Sequence, residues 1–150
     1  MNEILASLYF AFYDPSLPYE LFNQYFESDL FFCFNIMISE IRDGFLRTMD
    51  GENTGINGRI KEFDFLFSQI DPVLHAHLQN EGLNPQFYSL RWLMLMLAQE
   101  FALENVIRLW DTLLADHERF LFVNFVCVAI VMLKRETLLV SEFSECVEYL

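Results

Sequence analysis

The stretch from Asn84 to Asp116 constrains the fold most, because it contains both tryptophans of the chain and its pattern predicts two consecutive helices. Asn84 is a good N-cap residue, and Pro85 suits a first helical turn because its missing N–H would have no partner there. From Trp92 to Ala98 seven successive residues are apolar. A helix that is apolar on every side belongs in the interior, so we expect this helix at the centre of the domain.

The second helix of this stretch is expected to cover the first as an amphipathic helix. Glu104, Arg108 and Asp111 fall on its polar side, where their i, i+3 and i, i+4 spacing predicts a local ion-pair set worth about 0.3 kcal/mol per pair. The apolar residues recur at i, i+1, i+4, i+7 and i+8, and they are Val106, Ile107, Trp110, Leu113 and Leu114.

Five residues of this central stretch are assigned structural rather than catalytic roles: Arg91, Trp92, Arg108, Trp110 and Asp111. Arg91 stands beside Trp92 in the buried helix, and an arginine in such a place is more often a satisfied structural cation than a catalytic group. Aromatic residues at helical spacing are far more often core than part of a cofactor site. We therefore predict no cofactor here.

The first third of the chain is predicted to be helical. A helix without an N-cap spans Asn2–Tyr13, and Tyr19–Phe26 is predicted to be a connection or a short helix. Ser28 or Asp29 is expected to cap a long helix that runs to about Met49, before a loop at Asp50–Gly55. The inner face of the long helix is predicted to consist of Leu30, Phe34, Met37, Ile38, Ile41 and Phe45.

The remaining segments are also predicted to be helical. A regular apolar stripe is formed by Ile56, Ile60, Phe63, Phe67 and Ile70. Asp71-Pro72 should cap a shorter helix that runs to Glu81, with Gly82 as its stop. Arg119–Arg135 has no second strand candidate to pair with and predicts a buried helix. Ser141 should cap a last helix whose inward residues are Phe143, Val147 and Leu150.

Together these predicted helices indicate the fold class. We expect one all-α domain over residues 1–150, an irregular array of about seven to eight helices rather than a long coiled coil.

Composition indicates either a large core or an apolar surface that needs a partner. Hydrophobic residues make up 54% of the 150 residues, and phenylalanine contributes 17. The longest charge-free run after Arg119 is shorter than the ~20 residues of a bilayer span, so we predict no transmembrane helix. The N-terminus lacks a basic region and a cleavage site, and we expect no secretory signal.

The charge balance disfavours acidic partners. The formal net charge is −13, and no Lys, Arg or His precedes Arg42, so we expect no binding to nucleic acid or to an anionic membrane surface. The odd number of cysteines, Cys33, Cys127 and Cys146, indicates reduced thiols in the cytoplasm rather than a disulfide framework.

Residues that carry enzymatic chemistry are sparse. His75 and His77 are two apart on a predicted helix and point to nearly opposite faces, so neither these two nor His117 predicts a metal site. The paired carboxylates Glu40/Asp43 and Glu142/Glu145 suit exposed helix faces. No GxSxG, glycine-rich phosphate loop or CxxC occurs. We therefore predict no catalytic, cofactor or metal residues.

Three motifs of the chain occur in a specific order, SEIRDGF, LRWLMLMLAQEF and RLWDTLLAD. The longer segments around them are MNEILASLYFAFYD, ESDLFFCFNIMISEIRDGFL, DPVLHAHLQNEGLNPQFYSLRWLMLMLAQEF, VIRLWDTLLAD and RFLFVNFVCVAIVMLKRETLL. Together these segments resemble the C-terminal part of a TBC domain, a family of GTPase-activating proteins for Rab GTPases. The resemblance implies an all-helical fold of two subdomains.

The resemblance also implies a mechanism whose reactive groups this sequence lacks. The family supplies an arginine from an IxxDxxR motif and a glutamine from a YxQ motif, both from its N-terminal half, to the nucleotide site of the GTPase. The glutamine motif commonly continues as YxQGMNEI, and Met1 to Ile4 match only the end of it. No IxxDxxR occurs. We expect this chain to lack the half of the domain that carries the catalytic residues.

These considerations favour a fragment of a Rab activator that docks a Rab-family GTPase and is inactive alone. Asn2 and Glu3, beside the missing glutamine, are the predicted GTPase contacts. The missing half should cover an apolar face, through which the isolated chain is expected to self-associate. The alternative is a stand-alone helical interaction module of vesicle trafficking without activating function. In both cases the expected location is the cytoplasm, at endomembranes through the GTPase.

Overall fold

The computed structural model describes residues 2–16, 18–41 and 55–150, and it confirms the all-α fold class. Within these ranges there are nine α-helices and no strand. They are α1 Asn2–Phe12, α2 Tyr19–Ile41, α3 Gly55–Ile70, α4 Pro72–Asn80, α5 Gln86–Leu95, α6 Leu103–Ala115, α7 Val123–Leu133, α8 Arg135–Leu138 and α9 Phe143–Tyr149. A 3₁₀ turn at Arg119–Phe122 precedes α7.

Helix α3 lies at the centre of the packing, against α4, α5 and α7. Four of the five residues in its apolar stripe are buried as expected, while Ile70 at the end of the helix is exposed. The rings of Phe67, Phe63, Tyr88 and Trp92 form a continuous series from α3 into α5, with successive centroids 6.1, 5.9 and 5.5 Å apart. A series of aromatic rings therefore runs through the core from α3 to α5.

Helix α2 starts earlier than predicted. It starts at Tyr19, so Ser28 and Asp29 lie inside it rather than at its cap, and Ser28 Oγ donates to the Tyr25 carbonyl oxygen. Met37 and Ile41 are buried, and three further predicted inner residues are partly buried, namely Leu30, Phe34 and Ile38. The expected extension to Met49, its inner residue Phe45, and positions 50–54 of the expected loop lie outside the described residues.

The start of α5 agrees with the sequence prediction, whereas its end does not. Asn84 Oδ1 accepts from the Gln86 N–H at 2.9 Å, and Pro85 has helical dihedral angles. The apolar run was expected to stay helical to Ala98, but the helix ends at Leu95. The burial of Trp92 and Leu93 is confirmed, since both are almost inaccessible to solvent.

The C-terminal helices are less buried than their apolar sequences predict. Helix α7 buries one face, whereas Phe125 on its other face is half exposed and Leu133 is 86% exposed. In α9 the buried residue is Cys146, while Phe143 and Val147 are exposed.

The predicted cap of α9 is also wrong. The N-cap is Glu142, whose N–H donates to Glu145 Oε2 at 3.2 Å. Ser141 Oγ instead donates to the Thr137 carbonyl oxygen, because the hydroxyl points back to the preceding helix.

Asp71 caps α4 and also ties it to α8. Its Oδ1 accepts from the Leu74 N–H at 3.0 Å, and its Oδ2 accepts from Arg135 Nε at 2.7 Å. Burial raises the pKa of the Asp71 carboxyl, but the hydrogen bonds from Leu74 and Arg135 outweigh that effect and hold the pKa below its usual value. The cap that the sequence predicts is thus also one half of a long-range ion pair.

Asp71→Asn should therefore destabilise the fold by about 1–3 kcal/mol, because it removes a charge from a buried, hydrogen-bonded pair. Glu136→Gln is the matched control, since Glu136 also contacts Arg135 but is 91% exposed. It should cost less than about 0.5 kcal/mol. Equilibrium denaturation with urea measures both values.

The effect of Asp71→Asn should depend on pH. The lowered folded pKa means that the ionised Asp71 contributes stability above its unfolded pKa of 3.8, and that this contribution is lost as the pH falls towards the folded value. The difference between the native chain and Asp71→Asn should be full at neutral pH and shrink below about pH 4. A difference that grows on acidification would contradict the pairing.

Candidate functional site

The two predicted GTPase contacts lie at the start of α1, beside the turn that connects α5 to α6. Asn2 and Glu3 are both exposed. Glu3 Oε1 accepts from Gln99 Nε2 at 3.3 Å, and its carbonyl oxygen accepts from Ser7 Oγ at 3.0 Å. The structure thus connects the first turn of α1 with residues 96–102, which we call the α5–α6 turn.

The α5–α6 turn begins with an unusual backbone. Met96 and Leu97 have φ angles of 48° and 62°, although neither is a glycine, and both side chains are fully buried. The left-handed conformation costs about 1–2 kcal/mol for each such residue. The Leu97 N–H donates to the Trp92 carbonyl oxygen at 2.9 Å and so closes the end of α5. This geometry reverses the chain within a few residues.

Trp110 on α6 holds this turn in place. Its indole Nε1–H donates to the Met96 carbonyl oxygen at 2.9 Å, and the side chain is 3% exposed. Trp92 provides a contrast, because its Nε1–H is buried without a hydrogen-bond partner among the described residues. Of the two tryptophans, Trp110 therefore makes the polar contact that fixes the turn.

The far end of the turn is fixed by a bidentate ion pair. Arg91 Nε and Nη2 donate to the two carboxylate oxygens of Glu100 at 2.7 and 3.0 Å. The Arg91 side chain is 54% exposed, so it is a paired cation at the surface of α5 rather than a buried one. Gln99, next to Glu100, is thereby presented towards Glu3.

The ion-pair set predicted on α6 is not formed within the part of the chain that the structure describes. Glu104, Arg108 and Asp111 are all exposed, and none of them lies within ion-pair distance of another. The apolar face is largely as predicted, with Val106, Trp110 and Leu113 buried. Leu114, at the end of the helix, is exposed. Exposed pairs on one helix add little, so the side chains remain solvated.

Asp111 instead lines an apolar groove between α1, α2 and α6. The groove encloses about 250 Å³. Its apolar walls include Leu8 and Phe12 from α1, Ile36 from α2, and Ile107 and Leu114 from α6. Three helices thus meet in a concave surface with one carboxylate beside it.

The histidines and cysteines have structural surroundings. His75 Nε2 lies 2.8 Å from Asp64 Oδ1, and His77 Nε2 lies 3.2 Å from the Ser141 carbonyl oxygen. Within the described ranges, no three His, Cys, Asp or Glu side chains are close enough to hold a metal ion. Burial raises the pKa of the Cys127 thiol to about 12, so this thiol stays protonated. All three cysteines are free.

The partners in these contacts were not predicted from the sequence. Gln99 and Glu100 directly follow the apolar run, and two polar residues in that position signal the end of a buried helix. The left-handed pair had no such signal, because methionine and leucine rarely adopt that conformation. Arg135 is 64 residues from Asp71, so no local spacing could pair them.

Comparison with known proteins shows the family of the chain. The model of the Rab-GTPase-TBC domain matches residues 1–139. TBC1 domain family member 13 from Homo sapiens is 41% identical over 145 residues, which are 96% of this chain and 36% of the relative. The GTPase-activating protein gyp1 from Schizosaccharomyces pombe is 29% identical over 92% of this chain and 26% of that protein. This chain therefore belongs to the Rab-GTPase-TBC domain family.

A solved structure has the same fold. The crystal structure of the YPT/RAB-GAP domain of Gyp1p superposes with a TM-score of 0.84 at 25% sequence identity. The superposition covers 99% of this chain and 50% of the solved one. The chain thus spans about half of that domain and about a third of its human relative. No helix in the described part of the chain is long and apolar enough to span a membrane.

The contacts of the two tryptophans predict that a Trp→Phe substitution lowers the stability of the fold by different amounts at the two positions. Trp110→Phe leaves the buried Met96 carbonyl oxygen without its donor, whereas Trp92→Phe removes an N–H that has no partner. We expect Trp110→Phe to destabilise the fold by about 1–3 kcal/mol more than Trp92→Phe, as measured by urea denaturation. Trp110→Ala should cost about 3–5 kcal/mol because it also leaves a cavity. Equal costs for the two Phe variants would contradict the role of the Trp110 hydrogen bond.

Proposed function

We propose that this chain is the part of a Rab GTPase activator that docks a Rab-family small GTPase and supports the catalytic half of the domain. The match of residues 1–139 to the Rab-GTPase-TBC domain carries this proposal. The docking contacts are Asn2 and Glu3, which are exposed on α1 beside the α5–α6 turn. The family's glutamine motif continues as MNEI, the first four residues of this chain. We therefore expect this end of α1 to lie beside the nucleotide site of the bound GTPase.

The proposed role is that of a regulator without activity of its own. The 150 residues contain neither an IxxDxxR nor a YxQ motif. A supplied arginine finger is worth about 10³–10⁵ in the rate of GTP hydrolysis, so a chain without it should bind the GTPase and leave hydrolysis slow. The location that follows is the cytoplasmic face of endomembranes, reached through the GTPase.

A second partner of the chain is the other half of the domain, which we propose covers exposed apolar side chains of α1 and α2. Tyr25, Phe31 and Phe32 on α2 are 58%, 61% and 63% exposed, and Tyr9, Phe10 and Tyr13 near α1 are about half exposed. So many exposed aromatic rings on one helix pair are unusual for a surface that faces only water.

The alternative function is a stand-alone helical interaction module of vesicle trafficking that never activates hydrolysis. The two functions differ when the N-terminal half of the domain of a TBC relative is added in trans. Restored acceleration supports the activator, whereas binding without acceleration supports the module.

The experiment on the chain itself measures two quantities across a panel of Rab proteins in the GTP state. Phosphate release should stay at the intrinsic rate, and binding should be detectable for at least one Rab. Asn2→Ala and Glu3→Ala should each weaken binding about three- to tenfold. Asn80→Ala and Glu148→Ala, at exposed positions on α4 and α9, are the controls and should leave the affinity unchanged. Release more than tenfold above the intrinsic rate would contradict the role of the missing motifs.

Without its other half, the chain should self-associate through the exposed aromatic side chains of α1 and α2. The charge of −13 opposes this association, so it should strengthen as salt screens the repulsion. Phe32→Ser should weaken it, whereas Phe87→Ser, at a similarly exposed position on α5, should not. Sedimentation velocity at tens of micromolar, in low and in high salt, measures this association. A single monomeric species under both conditions would exclude self-association.

A further inference from the structure

A polar trough lies between helix α3 and the segment that connects α4 to α5. Two adjoining concavities of about 460 and 370 Å³ form it, and Gln79, Asn84 and Pro85 line both. The second concavity extends past Gly82. We call this surface the amide trough, because four side-chain amides line it, those of Asn57, Gln79, Asn84 and Gln86. None of the described residues that line it belongs to α1 or α2.

Two charged side chains also line the amide trough, and their charges are opposite. Lys61 is the cation and Asp64 is the carboxylate. Asp64 Oδ1 already lies 2.8 Å from His75 Nε2, within a contact that joins α3 to α4. The lining therefore has no excess of either sign, and it favours a neutral polar ligand over an ion.

The amides of the trough offer both donors and acceptors. Asn84 uses Oδ1 to accept from the Gln86 N–H, so its Nδ2 group has no partner among the described residues. Gln79 Nε2 lies 3.4 Å from His75 Nε2, and the Gln79 Oε1 atom accepts no hydrogen bond within the same residues. A donor and an acceptor on neighbouring side chains match the C=O and the N–H of a peptide backbone.

The backbone that carries these amides is fixed by its own hydrogen bonds. The Leu83 N–H donates to the Leu78 carbonyl oxygen at 2.9 Å, and Gly82 has a φ of 80° in the turn that ends α4. Asn84 then caps α5. Groups that are held in place before a ligand arrives lose little conformational freedom when they bind it.

We propose that the amide trough binds an extended peptide segment of another protein through the backbone of that segment. A peptide N–H donates to Gln79 Oε1, and a peptide carbonyl oxygen accepts from Asn84 Nδ2. The two adjoining concavities give the elongated shape that an extended chain requires. Because α1 and α2 do not contribute to the trough, the proposal does not depend on GTPase docking or on the other half of the domain.

The test is a nuclear magnetic resonance titration of the chain with a neutral, capped tetrapeptide of alternating alanine and serine. The side-chain amide signals of Gln79, Asn84 and Gln86 report binding directly. They should shift in a saturable way, with a Kd on the order of millimolar, because few hydrogen bonds and little apolar area contribute. Two comparison ligands are the same peptide with N-methylated backbone amides and the single capped residue N-acetylalanine amide. Both should bind at least about fivefold more weakly.

Variants locate the binding without removing the helix cap. Asn84→Asp keeps an oxygen that caps α5 but loses the Nδ2 donor, so the affinity should fall about three- to tenfold. Asn80→Asp makes the same charge change at an exposed position of α4 and should leave the affinity unchanged. Gly82→Asn should abolish binding, since a Cβ at this position meets open space and asparagine tolerates a positive φ. Far-UV circular dichroism confirms that each variant is folded.

Three outcomes contradict the proposal. If the N-methylated peptide binds as tightly as the unmodified one, the backbone is not what the trough recognises. If N-acetylalanine amide binds equally well, the ligand is a small molecule and not an extended chain. If the N-terminal half of a TBC relative, added in trans, displaces the tetrapeptide, the occupant belongs to the rest of the domain and not to another protein.

Discussion

The hydrogen bond from the Trp110 indole to the Met96 carbonyl oxygen connects the core of this domain to the surface proposed for its function. It spans 2.9 Å between α6 and the end of α5, where two successive non-glycine residues adopt left-handed backbone angles. Such strain persists only where the surrounding structure determines it. Three features hold the strained backbone here. They are the burial of Met96 and Leu97, the indole donor of Trp110 and the Arg91–Glu100 ion pair.

This turn gives the start of α1 a fixed neighbour. Gln99 follows the strained pair and contacts Glu3, so the series of aromatic rings in α3 and α5 is linked through the turn to the first residues of the chain. The helix pair α1 and α2 also carries many of the exposed aromatic side chains and one side of the apolar groove. Packing thus explains how the two proposed interaction surfaces come to lie on the same helices.

The sequence predicted the features that local rules determine. The Asp71 and Asn84 caps, the Gly82 stop, the apolar stripe of α3 and the burial of Trp92 all follow from residues close in the chain, and the structure confirms them. The errors arose where tertiary contacts decide. The α5 run is apolar to Ala98, yet the chain turns at Met96 because Trp110 and the core stabilise a backbone that no local pattern favours. Likewise α7 is apolar all round but has neighbours on one face only.

The assignment of Asn2 and Glu3 to a partner surface stays a prediction, since it came from the resemblance and not from a local pattern. What the structure adds is the reason why this surface can have a defined shape, namely the anchored α5–α6 turn. Hydrogen exchange by nuclear magnetic resonance tests that anchoring most directly, at the amides of Leu97, Ala98 and Glu100, whose hydrogen bonds close the turn. We predict protection of these amides close to that of the Leu93 amide in the buried part of α5. Exchange at the rate of an exposed loop, with Leu93 still protected, would contradict it.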